Sequence, residues 1–313
     1  MKSLFWTGKL SMPVSLLVNA NNIIAFVSGN SGDKSAMKER VKLGYEGAFS
    51  DHVTRYDELT AYYQKRAAVA QLDGIDLQGK EIIDIGCGTG IIAILALDKG
   101  AAKAVCGDIS EYMIRLAKEN AKKAGYDSDR ILFSQLDAES LPFDDNSFDI
   151  VISGMAFGLF PNQEKAVSEM FRVLRPGGLI SLGAHGPEHY WEAIDTTIRS
   201  LNKRHVLGYR FEFWPRTEKQ IHKIMKDTGF RDVETNRFIW RNLFKTPTDA
   251  CEFFAAVSSN WWYAKIPESK RLNEYQKTKQ VFEEKGVRQI TDDVIICYGK
   301  KPEQKVPANL INP

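Results

Sequence analysis

Residues 81–90 read Glu-Ile-Ile-Asp-Ile-Gly-Cys-Gly-Thr-Gly, an apolar run that leads directly into a glycine-rich turn. The isoleucines of this run are β-branched, as expected of a strand that is buried on both faces. Gly86, Gly88 and Gly90 lack side chains where the backbone must turn sharply and where a ligand could approach closely. Apolar residues follow at helical spacing from Ile91, so we predict that the turn lies at the N-terminus of a helix.

The spacing of these glycines argues against a dinucleotide site. A dinucleotide-binding turn has the pattern G-x-G-x-x-G, which holds a pyrophosphate at the helix start, whereas this chain has G-x-G-x-G. Asp84 stands just before the turn, and its carboxylate suits a cationic amine better than a phosphate. A cofactor with an amino acid end fits this chemistry, and S-adenosylmethionine has one. The alternative is a glycine turn that binds nothing.

Two further acidic residues follow predicted strands. Residues 104–108 predict a second strand that ends at Asp108, about 20 residues beyond the glycine turn, where an acid can accept both hydroxyls of a ribose. Its alternative role is to cap the next helix, which Ser110 could also do. Residues 131–135 predict a third strand. Asp137 follows it and could accept a hydrogen bond from an adenine amino group, or be an ordinary loop acid.

Several longer motifs accompany the glycine turn. They are Asp84-Ile-Gly-Cys-Gly-Thr-Gly90; Asp137-Ala with Leu141-Pro-Phe143 and Ser147-Phe-Asp149; Ala156-Phe-Gly-Leu159; Glu169-Met-Phe-Arg-Val-Leu-Arg-Pro-Gly-Gly178; and the F-x-x-V-x-x-Y-D pattern of Phe49, Val53, Tyr56 and Asp57. With them, the stretch from about 45 to 183 resembles the class I S-adenosylmethionine-dependent methyltransferases. Within that class it is most similar to the branch of ubiquinone and menaquinone biosynthesis C-methyltransferases.

The resemblance implies an α/β fold, a Rossmann-like doubly wound sheet of seven strands with the last strand antiparallel, and S-adenosylmethionine as cofactor. It says less about the methyl acceptor. The quinone enzymes of this branch continue the F-G-L motif with Arg-Asn, whereas Phe160 and Pro161 follow Leu159 here. The arginine proposed to help activate a quinone ring is therefore missing, which puts quinone methylation in doubt.

The expected site residues fall into three groups. The predicted cofactor site consists of Tyr56, Asp84, Gly86, Cys87, Gly88, Gly90, Asp108, Ile109, Met113, Asp137, Ala138 and Ser153. The predicted acceptor contacts are Tyr63, Phe157, Trp191, Trp214, Trp261 and Trp262. His185 and His189 follow the fifth predicted strand with Glu188, and a histidine there could act as a general base near neutral pH. The alternative is that these residues form a solvated turn, and thiol, amine or soft-anion acceptors would need no base.

Strands and helices alternate from 81 to 184, which predicts a parallel sheet with crossover helices. Later predicted elements are a fourth strand at 148–153, a helix at 163–174 that ends at Arg-Pro-Gly-Gly, a fifth strand at 179–184, a helix at 219–228 closed by Gly229, a sixth strand near 231–240, and a last strand at 293–299 as its edge hairpin partner.

The chain is divided around this core. The predicted ranges are an N-terminal extension at 1–36, helices leading into the core at 37–80, the cofactor-binding core at 81–184, an insertion at 185–217, a core helix and strand at 218–241, an insertion at 242–291, the last strand at 292–302 and a tail at 303–313. Both insertions are rich in aromatic residues. We predict that, with the helix around 45–63, they form a lid over the reacting methyl group. The alternative is that they only seal the sheet edge with core side chains.

The composition of the chain limits the partners and the cellular setting that can be expected. The chain has 313 residues, a formal net charge of +2 and 11% aromatic residues, so no strong attraction to nucleic acid or to an anionic membrane is implied. Its four cysteines lie far apart, without zinc spacing or a disulfide pattern, so we expect buried free thiols, no metal and a cytoplasmic setting. Residues 10–27 faintly resemble a signal sequence, but Pro13 and several asparagines interrupt them, and stable membrane insertion is not expected.

A small-molecule methyltransferase that acts on carbon, oxygen, nitrogen or sulfur of a partly apolar acceptor explains both the cofactor motifs and the aromatic insertions. Two alternatives remain. A nucleic-acid methyltransferase would often carry an Asn/Asp-Pro-Pro-Tyr/Phe element after the fourth strand, where this chain has Ser153-Gly-Met-Ala156. The second alternative is a non-catalytic protein that has kept the cofactor fold. The intact Asp84, Gly86, Gly88 and Asp108 argue against it.

Overall fold

A computed structural model describes residues 38–39, 41–42, 55–201, 217–258 and 268–303 of the chain. The seven strands are β1 (Glu81–Ile85), β2 (Lys103–Asp108), β3 (Ile131–Gln135), β4 (Phe148–Ser153), β5 (Leu174–His185), β6 (Arg231–Leu243) and β7 (Gln289–Lys300). The helices of eight or more described residues are α1 (Tyr56–Leu72), α2 (Ile91–Asp98), α3 (Glu111–Lys123), α4 (Gln163–Val173), α5 (Trp191–Leu201), α6 (Glu218–Thr228), α7 (Pro247–Val257) and α8 (Glu268–Lys285). A 3-10 helix spans Met155–Leu159.

The strands form one sheet in the order β3-β2-β1-β4-β5-β7-β6. Strands β1 to β5 pair in parallel, and β7 is antiparallel to both of its neighbours. The predicted α/β fold with a doubly wound seven-stranded sheet and an antiparallel last strand is therefore confirmed. The last strand was expected at the edge, and this is wrong: β7 lies between β5 and β6, so β6 forms the edge.

The first four strands and the helix before Gly229 lie where the sequence predicts them. Helix α6 begins with a capping box formed by Thr217 and Gln220, and ends at Gly229 in the left-handed conformation, with φ of 112°. Helix α3 begins at Ser110, whose side chain accepts a hydrogen bond from the Met113 N–H. Of the two residues that could cap this helix, Ser110 therefore does so.

Strand β5 begins earlier than predicted. The Pro-Gly-Gly segment after α4 was expected as a stop, but the chain passes directly from Val173 into β5 at Leu174. Pairing with a distant segment explains the difference: the Gly177 N–H donates to the Lys301 carbonyl, and the Lys301 N–H donates to the Gly178 carbonyl, both at 2.9 Å. A shift of register in the β4–β5 pairing, between Phe148 and Ile150, accommodates this segment.

Helices cover both faces of the sheet. One core cluster joins the sheet to α4 and α6 through side chains such as Met170 and Met225. A second joins the other face to α1, α2 and α3 through side chains such as Leu72. The four cysteines are free and buried, as predicted. Among the described residues, no helix is long and apolar enough to cross a membrane.

A third core cluster lies beyond the sheet, where α5, α7 and α8 pack together. Phe253 and Phe254 of α7 are each 1% exposed in this cluster and pack with Phe282 of α8. These two rings of the second aromatic insertion therefore lie in a packed core. Residues 202–216 of the first insertion lie outside the described residues, as do the extension at 1–36 and the tail from 304.

Candidate active site

A cavity of about 200 Å³ opens at the carboxyl ends of the parallel strands. Open α/β sheets bind their ligands in this position, where the strand order reverses. Here the reversal falls between β1 and β4. The cavity is lined from five strand ends, from α1 and from the residues at 38 and 41. Its strand-end residues include Ile85, Gly86, Cys87, Gly88, Asp108, Ile109, Leu136, Asp137, Ala138, Gly154, Met155, Ala156 and His185.

The glycine turn after β1 holds its backbone close to the cavity. All three glycines have positive φ values, of 72° at Gly86, 53° at Gly88 and 85° at Gly90. A Cβ atom added at Gly88 would meet nothing within 4 Å, whereas one added at Gly86 would lie 2.3 Å from the Cβ of Ala156. Gly88 therefore leaves free space on the cavity side, and Gly86 lets the 3-10 helix approach β1.

Asp108 ends β2 and contacts the glycine turn directly. Its Oδ2 accepts a hydrogen bond from the Gly88 N–H at 2.9 Å, and its Oδ1 accepts one from the Ser110 N–H at 2.9 Å. Burial raises the pKa of this carboxyl, and these backbone donors partly offset the rise. Since Ser110 caps α3, Asp108 is available to a ligand, and it lines the cavity.

Asp84 lies in β1 beneath the turn and is fully buried, so it does not itself line the cavity. Neither of its carboxylate oxygens has a hydrogen-bond partner among the described residues. Burial, and then the charge of Asp108, raise its pKa to about 8. The Ala93 backbone amide offsets part of this rise without reaching normal hydrogen-bond geometry. A buried carboxylate in this position would be stabilised by a cationic ligand.

Asp137 and Ala138 line the opposite end of the cavity, after β3. The Asp137 Oδ2 is 2.6 Å from the Nζ of Lys38, and its Oδ1 accepts a hydrogen bond from the Glu139 N–H at 3.0 Å. Lys38 Nζ also lies 3.3 Å from Glu139 Oε2. An adenine amino group that bound Asp137 would therefore share this carboxylate with Lys38.

Helix α1 supplies one wall through Tyr56, Gln64 and Gln71, and the sequence analysis identified only Tyr56 among them. The Gln64 side-chain amide donates to the Tyr56 hydroxyl, and burial raises the pKa of Tyr56 to about 12. Gln71 Nε2 donates to the Ser153 and Ser181 carbonyls at 3.0 and 3.2 Å, which fixes the side chain against β4 and β5. The sequence could have identified both glutamines as site residues, because they are seven residues apart and therefore lie on one face of the helix.

At the end of β5, one of the expected residues lines the cavity and a second lies behind it. His185 lines the cavity and is 8% exposed. His189 lies behind it, 3% exposed, with ring centroids 4.3 Å apart. Tyr190, which the sequence analysis did not identify as a site residue, also lines the cavity and contacts His189. Leu159 and Val257 line the cavity and pack against the same core cluster as Tyr190.

Several expected residues do not reach the cavity. Phe157 was expected to contact the acceptor, but it is wholly buried in the core between the sheet and α4, on the inner side of the 3-10 helix. Tyr63 packs against Phe244 and Phe253 instead. Expected residues that also do not line the cavity are Gly90, Ser153, His189 and Trp191. Trp214, Trp261 and Trp262 lie outside the described residues.

Comparisons with known proteins agree with this geometry. A family model described as a methyltransferase domain matches residues 83–182. The demethylmenaquinone methyltransferase of Bacteroides fragilis is 34% identical in an alignment 234 residues long that covers 66% of this chain and 90% of that protein. The enzyme of the same name from Clavibacter sepedonicus is 28% identical in an alignment 225 residues long that covers 67% of this chain and 87% of the relative.

Solved structures share the fold. The YcgJ protein of Bacillus subtilis superposes with a TM-score of 0.54 at 19% identity, over 76% of this chain and 99% of that one. A candidate methyltransferase from Bacillus halodurans C-125 gives a TM-score of 0.54 at 22% identity, over 75% and 98%. The chain belongs to the class I S-adenosylmethionine-dependent methyltransferases, in the branch of the menaquinone enzymes. It is a methyltransferase whose cofactor is S-adenosylmethionine.

The residues of the cavity fit this cofactor. Beneath the cavity, the unpartnered carboxylate of Asp84 would serve as a counter-ion for a buried cation, and Gly88 leaves space beside the backbone. Asp108 offers carboxylate oxygens for ribose hydroxyls, and Asp137 lies one strand further, where an adenine ring would extend. Cys87 also lines this end, and a hydrogen bond with the Cys106 thiol together with burial raises the pKa of its own thiol, so it stays protonated.

Proposed function

We propose that this enzyme methylates a small, neutral and partly apolar molecule. The part of the cavity formed by Leu159, His185, Tyr190 and Val257, which we call the acceptor end, carries the proposal. Its aliphatic and aromatic side chains belong to or adjoin the core cluster of α5, α7 and α8. Such a surface favours an apolar ligand and excludes water from the reacting atoms.

The charges around the cavity support a neutral acceptor. Among the lining residues that the structure describes, Lys38 is the one lysine or arginine, and it is paired with Asp137 and Glu139. The carboxylates lie at the cofactor end, and the acceptor end has none. A carboxylate or phosphate group on the acceptor would therefore be buried without a counter-ion, at a large cost in free energy.

The protein's contribution to the reaction is binding, orientation and proton transfer. S-adenosylmethionine, when bound, supplies a methyl group on a sulfonium sulfur, already activated for in-line displacement. Asp84 would hold its ammonium group, Asp108 its ribose and Asp137 its adenine. His185 would accept the proton that a hydroxyl, amine or carbon acid loses as it takes the methyl group. Holding the two reactants together in a dry cavity supplies the rest of the acceleration.

The alternatives are less well supported. A nucleic-acid methyltransferase would need cations along its binding face, and the one lining cation in the described part of the chain is already paired. A protein that only binds the cofactor would not need His185 at the acceptor end. The names of the relatives suggest a quinone acceptor, and we include demethylmenaquinol among the candidates, although Phe160 stands where that branch has an arginine.

The test is release of S-adenosylhomocysteine with a panel of acceptors. The panel contains 2-naphthol, 1,4-dihydroxynaphthalene, demethylmenaquinol, an alkyl thiol and an alkyl amine. Its matched control is 6-hydroxy-2-naphthoate, which keeps the naphthol hydroxyl and adds a carboxylate, and single-stranded oligonucleotides form a separate arm. We expect turnover with a neutral ring hydroxyl and at least about tenfold less with the carboxylate analogue. Turnover only with 6-hydroxy-2-naphthoate or only with the oligonucleotides would contradict the proposal. A lack of turnover with every neutral acceptor would contradict it as well.

A further inference from the structure

The turn from His185 to Tyr190 is built around one residue of β7, Asp293. The Gly186 N–H donates to the Asp293 carbonyl at 2.7 Å, and the Glu188 N–H donates to Asp293 Oδ2 at 2.7 Å. The Asp293 N–H donates to Nδ1 of His189 at 3.1 Å. Main-chain and side-chain atoms of Asp293 thus fix three positions of the turn, and both residues at its ends line the cavity.

The carboxylate of Asp293 is itself held firmly. It is fully buried, and Arg237 on the neighbouring strand β6 donates to both oxygens, from Nε and from Nη2, at 2.8 Å each. This bidentate geometry sets the orientation of the carboxylate as well as its position. A Cβ atom added at Gly186 would lie 2.2 to 2.4 Å from the Asp293 carboxyl atoms, so the turn packs directly on the carboxylate.

The turn is held in a conformation that needs such support. Tyr190 has φ of +53°, a left-handed conformation that bulky residues rarely adopt. Strained backbone of this kind persists where its surroundings enforce it, and it is concentrated at functional sites. Here the Tyr190 N–H donates to the Thr291 carbonyl at 2.8 Å, two residues before Asp293.

Three aromatic rings of the turn pack against one another, and two of them line the cavity. The ring centroids of His189 and Tyr190 are 3.7 Å apart, and those of His185 and His189 are 4.3 Å apart at an interplanar angle of 70°. His189 is buried between the other two, which face the cavity. A shift of the turn would therefore move His185 and Tyr190 together, relative to the acceptor.

We propose that Asp293, oriented by Arg237, is a positioning residue for methyl transfer, which acts through the turn from His185 to Tyr190. This rests on the proposed function, because it assumes that both residues face the acceptor. Asp293 does not contact the cofactor end of the cavity. Its loss changes where the acceptor lies and leaves cofactor binding intact.

The test uses four variants of the full chain and two ligands that bind without turnover. Binding of 2-naphthol to protein loaded with S-adenosylhomocysteine is followed by naphthol fluorescence, and S-adenosylhomocysteine affinity is measured by titration calorimetry. We expect Asp293→Ala, Arg237→Gln and Gly186→Ala each to weaken 2-naphthol binding about tenfold or more, because misplacement by about 1 Å is costly at such sites. Affinity for S-adenosylhomocysteine should stay within about twofold, as for independent sites. The matched control is Arg241→Gln, an exposed arginine further along β6, which should change neither.

A double variant separates positioning from general damage. The clash that Gly186→Ala creates is with the carboxyl of Asp293, so it should disappear in the Asp293→Ala background. The double variant should bind 2-naphthol as well as Asp293→Ala alone, and its kcat with an accepted panel member should match as well. An additional loss in the double variant would overturn the proposal.

The remaining outcomes are also decisive. If Asp293→Ala does not fold, Arg237→Gln decides, since this side chain is partly exposed. If the wild-type protein binds 2-naphthol and the variants Arg237→Gln and Gly186→Ala bind it equally well, the positioning role is overturned. The proposed function is not affected by that result. Wild-type protein that binds S-adenosylhomocysteine but no 2-naphthol would overturn the proposed acceptor class, and the positioning role with it.

Discussion

Replacing Asp84 with asparagine should remove a specific pH dependence of cofactor binding. In the ligand-free protein, burial and the nearby Asp108 raise the pKa of Asp84 to about 8, so the group is mostly protonated at neutral pH. An ammonium group bound beside it would favour the ionised form and lower its pKa. Binding would then release a proton, and affinity would increase as pH rises toward 8. An asparagine side chain keeps the shape of the protonated acid but cannot ionise.

The size of the change in affinity follows from the shift in the pKa of Asp84. An opposite charge close to a carboxyl lowers its pKa by about 1 to 3 units, which corresponds to about 10- to 1000-fold in affinity once Asp84 ionises. With a pKa of about 8, roughly one Asp84 in a hundred is ionised at pH 6 and about nine in ten at pH 9. For a shift of 1 unit, the ratio of the variant's Kd to the wild-type Kd should rise from about one at pH 6 to about nine at pH 9, and for a shift of 3 units from about 11 to about 900. In either case the ratio rises at least about eightfold over this pH range.

Titration calorimetry with S-adenosylhomocysteine at pH 6, 7, 8 and 9 measures this ratio. The amino group of the ligand also loses its proton at alkaline pH, but it does so with both proteins and cancels in the ratio. Repeating the pH 7 titration in buffers with different ionisation enthalpies counts the released protons, and we expect about 0.4 to 0.9 for wild type, for shifts of 1 to 3 units, and fewer for Asp84→Asn. A Kd ratio that stays constant from pH 6 to pH 9 would refute the assignment of Asp84 to the ammonium group.

Three other predictions extend the test. Asp108→Ala should weaken S-adenosylhomocysteine binding by about 1.5–3 kcal/mol, the range for hydrogen bonds to a charged group, and an unchanged Kd would remove Asp108 from the ribose site. Gly88→Val should abolish binding because its side chain would enter the cavity, whereas Gly125→Val, with φ of 87° and equally open surroundings, should bind normally despite similar backbone strain; equal binding by both would refute the role of the turn. Without ligand, Asp84 has a raised pKa, so its contribution to stability is present below about pH 4 and is lost as pH rises through about 8. The melting temperature of Asp84→Asn should therefore exceed that of wild type by a margin that grows from pH 5 to pH 8 in thermal scans, and a margin independent of pH would speak against a protonated Asp84.

Local patterns predicted the cofactor half of the molecule well. The apolar run before Gly86 can only be a buried strand, and the strand ends at Asp108 and Asp137 fall beside it because parallel strands carry their carboxyl ends to one edge. Each of these features depends on a few neighbouring residues. The comparisons support the family, while the individual ligand contacts remain predictions.

What the sequence could not predict depends on distant contacts. The early start of β5 needs Lys301, which lies more than a hundred residues away from Gly178. The place of β7 inside the sheet is a property of strand order, which no local pattern encodes. Phe157 belongs to a recognisable motif, but the motif does not say which side of the 3-10 helix faces the core. Lys38 reaches Asp137 across 99 positions of sequence.

The most direct measurement is a crystal structure of the protein grown with S-adenosylhomocysteine. We expect the ribose against Asp108, the amino acid end at the glycine turn above Asp84, and the sulfur directed toward His185 and Tyr190. Nucleoside density outside this cavity, or protein side chains filling the space beside Gly88, would contradict the assignment of the site.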